Sequence, residues 1–202
     1  MSQGRHRKRI KHVEGLGHLH ELTFSCYRRK PLLTNDLWRR ILARSIDHAC
    51  HAERFGLIAF VLIPEHVHLL VVPLDRDACR VSRLLARVKQ PTSKQIKAIL
   101  MDNNSRLVEQ LTVQERPGKR CFRFWQEGPG FDRNIFSGEA LSSAIDYIHL
   151  NPVKRQLCDR ADQWKWSSAR FYLNKEIDTD LPPLTRPDPT WFETSGVQVE
   201  HR

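Results

Sequence analysis

Residues 57–72 read LIAFVLIPEHVHLLVV, an apolar, β-branched run divided once by Pro64-Glu65. Such a run predicts two strands, Leu57–Ile63 and His66–Val72, joined by a tight hairpin and buried in the middle of a sheet. In a strand, side chains at i and i+2 leave the same face, so His66 and His68 point one way. Two adjacent polar rings have no ordinary place on a buried strand. A metal ion held between them resolves that conflict. Hydrogen bonding of both rings at a strand end is the alternative, and the spacing alone does not choose.

The flanking segments supply the rest of a sheet. HLHELTFSCYRRK (18–30) alternates Leu22, Phe24 and Cys26 with polar partners and predicts the first strand. Asp36 to Phe55 carries Leu37, Ile41, Leu42, Ile46 and Ala49 at helical spacing, with Gly56 as its stop. A second helix is expected from about Asp77 to Gln90, interrupted by Pro91, with Val81, Leu84, Leu85 and Val88 on its apolar face. Asp102–Gly118 reads as a polar loop with a short helix. RCFRFWQ (120–126), with arginine and aromatic residues interleaved, reads as the fourth strand before Gly128-Pro129-Gly130 breaks it. A third helix runs from about Gly138 to Asn151, where Pro152 should end or kink it.

The order β-α-β-β-α-β followed by a helix is ferredoxin-like: an α+β fold with an antiparallel sheet and helices on one face. On that reading His66 and His68 lie on an inner strand. The chain divides into a basic flexible arm (1–17), a single domain (18–172) and an irregular Pro-rich tail (173–202). Tryptophans in the segment before that tail should plug the domain surface.

Thirty-three Lys and Arg against 23 Asp and Glu give a formal charge of +10, which points to a polyanionic partner, nucleic acid before a membrane surface. No acid interrupts the stretch between Asp77 and Asp102. Arg80, Arg83 and Arg87 fall within about 60° of helical arc. With Lys89 and Lys94 they make a one-sign stripe suited to tracking phosphates. Phe122, Phe124 or Trp125 could stack on bases, core packing being the other reading. No apolar run is long enough for a membrane span, the basic N-terminus lacks the apolar segment of a secretory signal, and a cytoplasmic protein is expected. The five cysteines are scattered without a CxxC pair, which argues for reduced thiols rather than a zinc finger or a disulfide framework.

On the third helix, Leu141, Ala144, Ile145 and Ile148 make the apolar face. Tyr147 and Asn151, four apart, sit one above the other at its rim, while His149 points elsewhere.

Four ordered blocks, LIPEHVHLLV, FWQEGPGFDRNIF, AIDYIHLNPVKRQLC and WKWSSARFY, closely resemble the REP-associated tyrosine transposases of the HUH single-tyrosine, IS200-like family. The resemblance spans roughly residues 18–172. It implies a ferredoxin-like domain that cuts single-stranded DNA near hairpins and rejoins it. His66 and His68 match the two metal-binding histidines, and Tyr147 matches the catalytic tyrosine. Asn151 stands where relatives carry a polar residue, often Gln, that completes the site of Mg²⁺ or Mn²⁺. The family hairpin usually reads Met-Pro-Asn before the first histidine. Here it is Ile63-Pro64-Glu65, with Glu65 expected to face away from both ligands. The implied reaction is in-line attack by the phenol, giving a 5′-phosphotyrosine and a free 3′-hydroxyl. A phenol with its ordinary pKa of about 10 needs a base or the metal field to react near neutrality. The implied partner is single-stranded or hairpin DNA, with a monomer favoured over a dimer. Two other readings stay open: a hairpin-binding protein without cleavage, and a zinc hydrolase acting on a small phosphate or ester.

Overall fold

β1 (Leu19–Ser25) has the alternation read from the sequence: Leu22 and Phe24 enter one apolar layer, while Leu19 enters the layer on the opposite face. The computed structural model describes residues 18–75, 80–128 and 130–192. The basic arm, the expected helix start at Asp77 and the last ten residues of the tail lie outside the described residues.

α1 (Asp36–Ala52) is capped by Asn35, whose side chain accepts from Leu37 N at 2.9 Å and Trp38 N at 3.4 Å. Trp38, Leu42, Ile46 and Ala49 are buried beneath it, but Leu37 lies on the outer side, 48% exposed. The helix stops before Arg54, which takes φ 53°, so Gly56 is not its terminator. Gly56 belongs to β2 (Phe55–Ile63), where space demands it. A Cβ there would lie 2.7 Å from Thr185 Oγ1 and 2.9 Å from Val72 Cγ1. Gly56→Ala should destabilise the fold by about 1–3 kcal/mol, read as a lowered urea midpoint.

β2 turns at Pro64-Glu65 into β3 (His66–Pro73), and every residue of both strands is buried. α2 (Val81–Asp102) runs straight through Pro91, where interruption was expected. Pro91 is exposed and deprives the helix of one N–H. One residue on, the buried Thr92 hydroxyl donates to Val88 O at 2.7 Å.

The fourth strand differs from the sequence reading. A short α3 (Leu107–Leu111) leads into a separate hairpin of β4 (Thr112–Arg116) and β5 (Lys119–Phe122). The strand that completes the main sheet is β6 (Phe131–Ile135), paired antiparallel to β1. The 124–126 segment only touches the end of β1: Tyr27 N donates to Phe124 O and Gln126 N to Ser25 O, both at 2.8 Å. Gly130 then returns the chain at φ +83°, so close that a Cβ would sit 2.2 Å from Thr23 O. The aromatic interleaving of RCFRFWQ thus reflects a core plug, with Phe124 fully buried, rather than a ladder.

The sheet order is β2-β3-β1-β6, antiparallel throughout, which is the ferredoxin-like arrangement. α1 and α2 cover one face through Leu22, Phe24, Leu69 and Val71. α4 (Gly138–Lys154) covers the other, over Ile58, Val61, Ile63 and Leu70. Helices therefore flank both faces, not one. The even-numbered residues of β3 look toward α4, and so do its two histidines.

α5 (Ala169–Asn174) and the segment before it shield the outer edge of β2. Leu62 N donates to Trp166 O at 2.8 Å, Ser168 N to Phe60 O at 3.0 Å, and the Tyr172 hydroxyl to Ile58 O at 3.0 Å. An edge that could pair with another chain is thereby satisfied internally. Trp166 is buried and donates Nε1 to Asp36 Oδ1 at 2.8 Å, acting as one of the expected plugs.

Candidate active site

His66 and His68 project from β3 with their Nε2 atoms 3.0 Å apart and their rings steeply inclined, at 77°. Each Nδ1 has its own partner. His68 Nδ1 meets Thr23 Oγ1 at 2.8 Å, because Thr23 lies directly across the β1–β3 ladder. His66 Nδ1 lies 3.0 Å from Glu65 Oε1, and Glu65 in turn pairs with Arg155 just beyond α4. Glu65 therefore does not face away from both histidines: the turn folds its carboxylate back onto the first of them.

Both rings are almost fully buried. Burial, reinforced by the His66 charge, pushes the His68 pKa down to about 3. Burial also lowers that of His66, against the pull of Glu65. Neutral imidazoles carry one proton each. With His66 Nδ1–H donating to Glu65 and His68 Nδ1–H to Thr23, both Nε2 lone pairs face the same point.

α4 brings the remaining residues to that point. Ser137 caps it, accepting from Ala140 N at 3.1 Å, and Leu141, Ala144 and Ile148 seat it on the sheet. Asn151 is buried, its Nδ2 3.3 Å from His68 Nε2, while its Oδ1 has no hydrogen-bond partner. The helix does not end at Asn151: it continues through Pro152 to Lys154. One turn before Asn151, Tyr147 sets its ring edge-on against His68, centroids 5.4 Å apart at 88°, and remains 42% exposed. The Lys154 ammonium lies 5.3 Å from the centre of the Tyr147 ring.

A divalent cation fits this donor set. Two nitrogens 3.0 Å apart match adjacent positions on an octahedral ion with bonds of about 2.1 Å. Asn151 offers an orphaned buried oxygen once its amide is turned, since its one hydrogen bond, from Nδ2 to His68 Nε2, is to the same point a cation would occupy. Among the described residues no group of three or more His, Cys, Asp or Glu assembles around a common point. A site of two histidines and one amide leaves coordination positions open for substrate.

The site opens into a cleft of about 410 Å³ also lined by Glu21, Thr23, Arg29, Phe131, Arg133 and Arg155. None of the five basic residues expected on or near α2 lines it. Arg83 and Arg87 pair with Glu53, and Arg80 is exposed at the start of α2. Lys89 lies 4.9 Å from the Phe24 ring centre and 3.4 Å from Gly128 O, its pKa pushed down to about 8 by burial. Lys89 and Lys94 line a second open cleft of about 560 Å³ with Lys97, Arg120 and Phe122. Phe124 and Trp125 are core residues, which leaves Phe122 as the accessible stacking candidate.

His149 faces away from the cleft, as its helical phase requires. Its Nε2 lies 2.8 Å from Ser168 Oγ, and burial pushes its pKa down to about 4. An unfolded histidine takes up a proton near pH 6.5, whereas folded His149 resists until about pH 4. Stability is thus complete above about pH 6.5 and falls as pH drops toward 4, by on the order of 2–3 kcal/mol from this group. Urea midpoints in EDTA at pH 8, 6 and 5 should show that fall added to the one from the buried His66 and His68, and His149→Gln should lessen the total by the His149 share only.

A family model described as "Transposase IS200 like" matches residues 17–116 of this chain. Over that stretch, just under half of its length, the chain is similar to the IS200-like transposases. The matched region covers β1 through β4 and includes both histidines, while Tyr147 lies beyond it. A Haemophilus influenzae protein named as a REP-associated tyrosine transposase is 24% identical over 131 residues, spanning 63% of this chain and 66% of that protein, just under two thirds of its length. The structure of a REP-associated tyrosine transposase bound to a REP hairpin matches with a TM-score of 0.64 at 19% identity. It covers 91% of this chain and 94% of that one. That likeness bears on the fold alone. Among the described residues, no helix is long and apolar enough to cross a membrane.

Proposed function

We propose that this chain is a divalent-metal-dependent single-strand DNA endonuclease and strand transferase acting beside hairpins. The observation that carries the reading is the convergence of Tyr147, Asn151 and His68: one helix lays a partly exposed phenol ring and a buried amide on the same imidazole. His66 Nε2, His68 Nε2 and Asn151 Oδ1 would hold Mg²⁺ or Mn²⁺, which when bound supplies positive charge to a phosphate oxygen.

The chain's own residues do the rest. Thr23 and Glu65 fix the two imidazole tautomers so that both Nε2 atoms stay available. The Tyr147 oxygen attacks phosphorus and gives up its proton. The P–O3′ bond breaks, and the departing oxygen takes a proton to become the 3′-hydroxyl. The resulting 5′-phosphotyrosine keeps the bond energy, so attack by a 3′-hydroxyl rejoins DNA and frees the enzyme without a nucleotide cofactor. Every residue in this scheme comes from one chain, so a monomer makes a complete site. A hairpin substrate is favoured by the structural neighbour, which was solved with a REP hairpin. DNA as substrate in turn favours a cytoplasmic location.

The test is an oligonucleotide hairpin with labelled single-stranded flanks, incubated with the protein and Mn²⁺ or Mg²⁺. The expected product is a protein–DNA adduct that survives a denaturing gel, with a free 3′-hydroxyl on the released strand, and neither forms in EDTA. Tight hairpin binding with no cleavage in either metal would instead identify a binding protein. Turnover of small esters by a zinc-containing preparation that ignores DNA would identify a hydrolase.

A further inference from the structure

We infer that Arg29 grips a phosphate of the DNA strand held in the histidine–tyrosine cleft. The inference rests on the reading above and adds a residue that neither the motif blocks nor the charge stripe on α2 contains. It follows from a charge account of the cleft wall. Three guanidinium groups line the cleft. Arg133 donates Nε to the buried Glu21 carboxylate at 2.9 Å, and Arg155 is paired with Glu65. Each is neutralised by a carboxylate. Arg29 is exposed, and its side chain has no carboxylate partner among the described residues.

The backbone around Arg29 is held in an uncommon form. Arg28 and Arg29 take φ 52° and 53°, two successive left-handed residues without a glycine. The conformation is fastened from three sides. Arg28 N donates to Gln126 Oε1 at 3.1 Å, Arg29 N to Cys26 O at 3.0 Å, and Lys30 N to Tyr27 O at 3.1 Å. A glycine would suit the geometry better, yet an arginine stands at the cleft mouth. Guanidinium is the side chain whose planar fork matches two phosphate oxygens. Of the three guanidinium groups lining the cleft, a phosphodiester entering over the imidazoles finds here the one with no carboxylate to leave.

Arg29→Gly tests this cleanly, because glycine keeps the left-handed backbone while removing the side chain. The variant should melt at or above the wild-type temperature. Its single-turnover rate of adduct formation on the hairpin oligonucleotide should fall about 100-fold, and Arg29→Lys should fall between the two. In EDTA, the log–log salt slope for binding the same oligonucleotide should drop by about 0.7, the share of one single-strand phosphate contact. Oligonucleotides carrying one neutral methylphosphonate, walked along the flank, should weaken wild-type binding at one position and leave Arg29→Gly indifferent there. An adduct rate for Arg29→Gly within twofold of wild type overturns the inference and leaves the enzyme reading intact. If wild type itself forms no adduct, the enzyme reading fails and the binding arm decides: an unchanged salt slope and unchanged methylphosphonate profile in Arg29→Gly overturn the inference.

Discussion

Tyr147→Phe is expected to reduce protein–DNA adduct formation by about 10³-fold or more, with hairpin affinity within about twofold of wild type. The structure separates these two effects. Phenylalanine retains the edge-on contact with His68, since that contact is made by the ring and not the hydroxyl. At 42% exposure, Tyr147 loses no buried hydrogen bond when its oxygen is removed, so the melting temperature should be unchanged. A melting shift together with the activity loss would point to a packing role. An undiminished adduct would remove Tyr147 from the chemistry.

His68→Ala should have the second large effect, and on two readouts. His68 is the hub of the site: it contacts His66, Thr23, Asn151 and Tyr147. Calorimetric titration with Mn²⁺ should show affinity lowered by at least about 100-fold, the upper range seen when mere outer partners of a metal ligand are removed. The adduct should disappear with it. Stability should also fall by about 1–3 kcal/mol, because the buried Asn151 amide and the Thr23 hydroxyl lose their shared partner. Thr23→Val, which removes only the outer hydrogen bond, should weaken Mn²⁺ about 10–100-fold and leave His66 and His68 in place. Unchanged Mn²⁺ binding in His68→Ala would move the metal, if any, elsewhere.

The elements that could be read from the sequence were those with one strong period. The hairpin 55–73, α1 and the apolar face of α4 follow from hydrophobic spacing that tertiary packing reinforces. β6 carries no strong period, because FDRNI pairs on one edge only and its residues are mostly polar or exposed. RCFRFWQ drew the assignment because buried aromatics look alike in a plug and in a strand. Gly56 reads as the stop after α1 because glycine usually marks such ends; Arg54 makes the left-handed turn here, and Gly56 serves a close approach to Thr185 instead.

The site shows the same division. His66, His68, Tyr147 and Asn151 were legible through strand and helix periodicity and the motif blocks, and the fold brings them together. Thr23 needs the β1–β3 register, which no local pattern contains. Glu65 depends on how a turn side chain folds back, and Arg155 on its pairing with that carboxylate. Arg29 carries no motif, since its placement follows from two left-handed residues fastened by Gln126, nearly a hundred positions on. The α2 stripe was real as sequence, but Glu53 across the α1–α2 contact takes up Arg83 and Arg87. Lys89 and Lys94 face a different cleft.

The chain has three tyrosines, Tyr27, Tyr147 and Tyr172, which makes a peptide map decisive. After reaction with a hairpin oligonucleotide, nuclease trimming and proteolysis, mass spectrometry should find the nucleotide phosphate on the peptide containing Tyr147. Tyr172, whose hydroxyl is committed to Ile58 O inside the fold, should be unmodified, and so should Tyr27. A nucleotide found on either of those residues, or strand cleavage without any tyrosine-linked peptide, would contradict a site in which the α4 phenol attacks beside the β3 histidines.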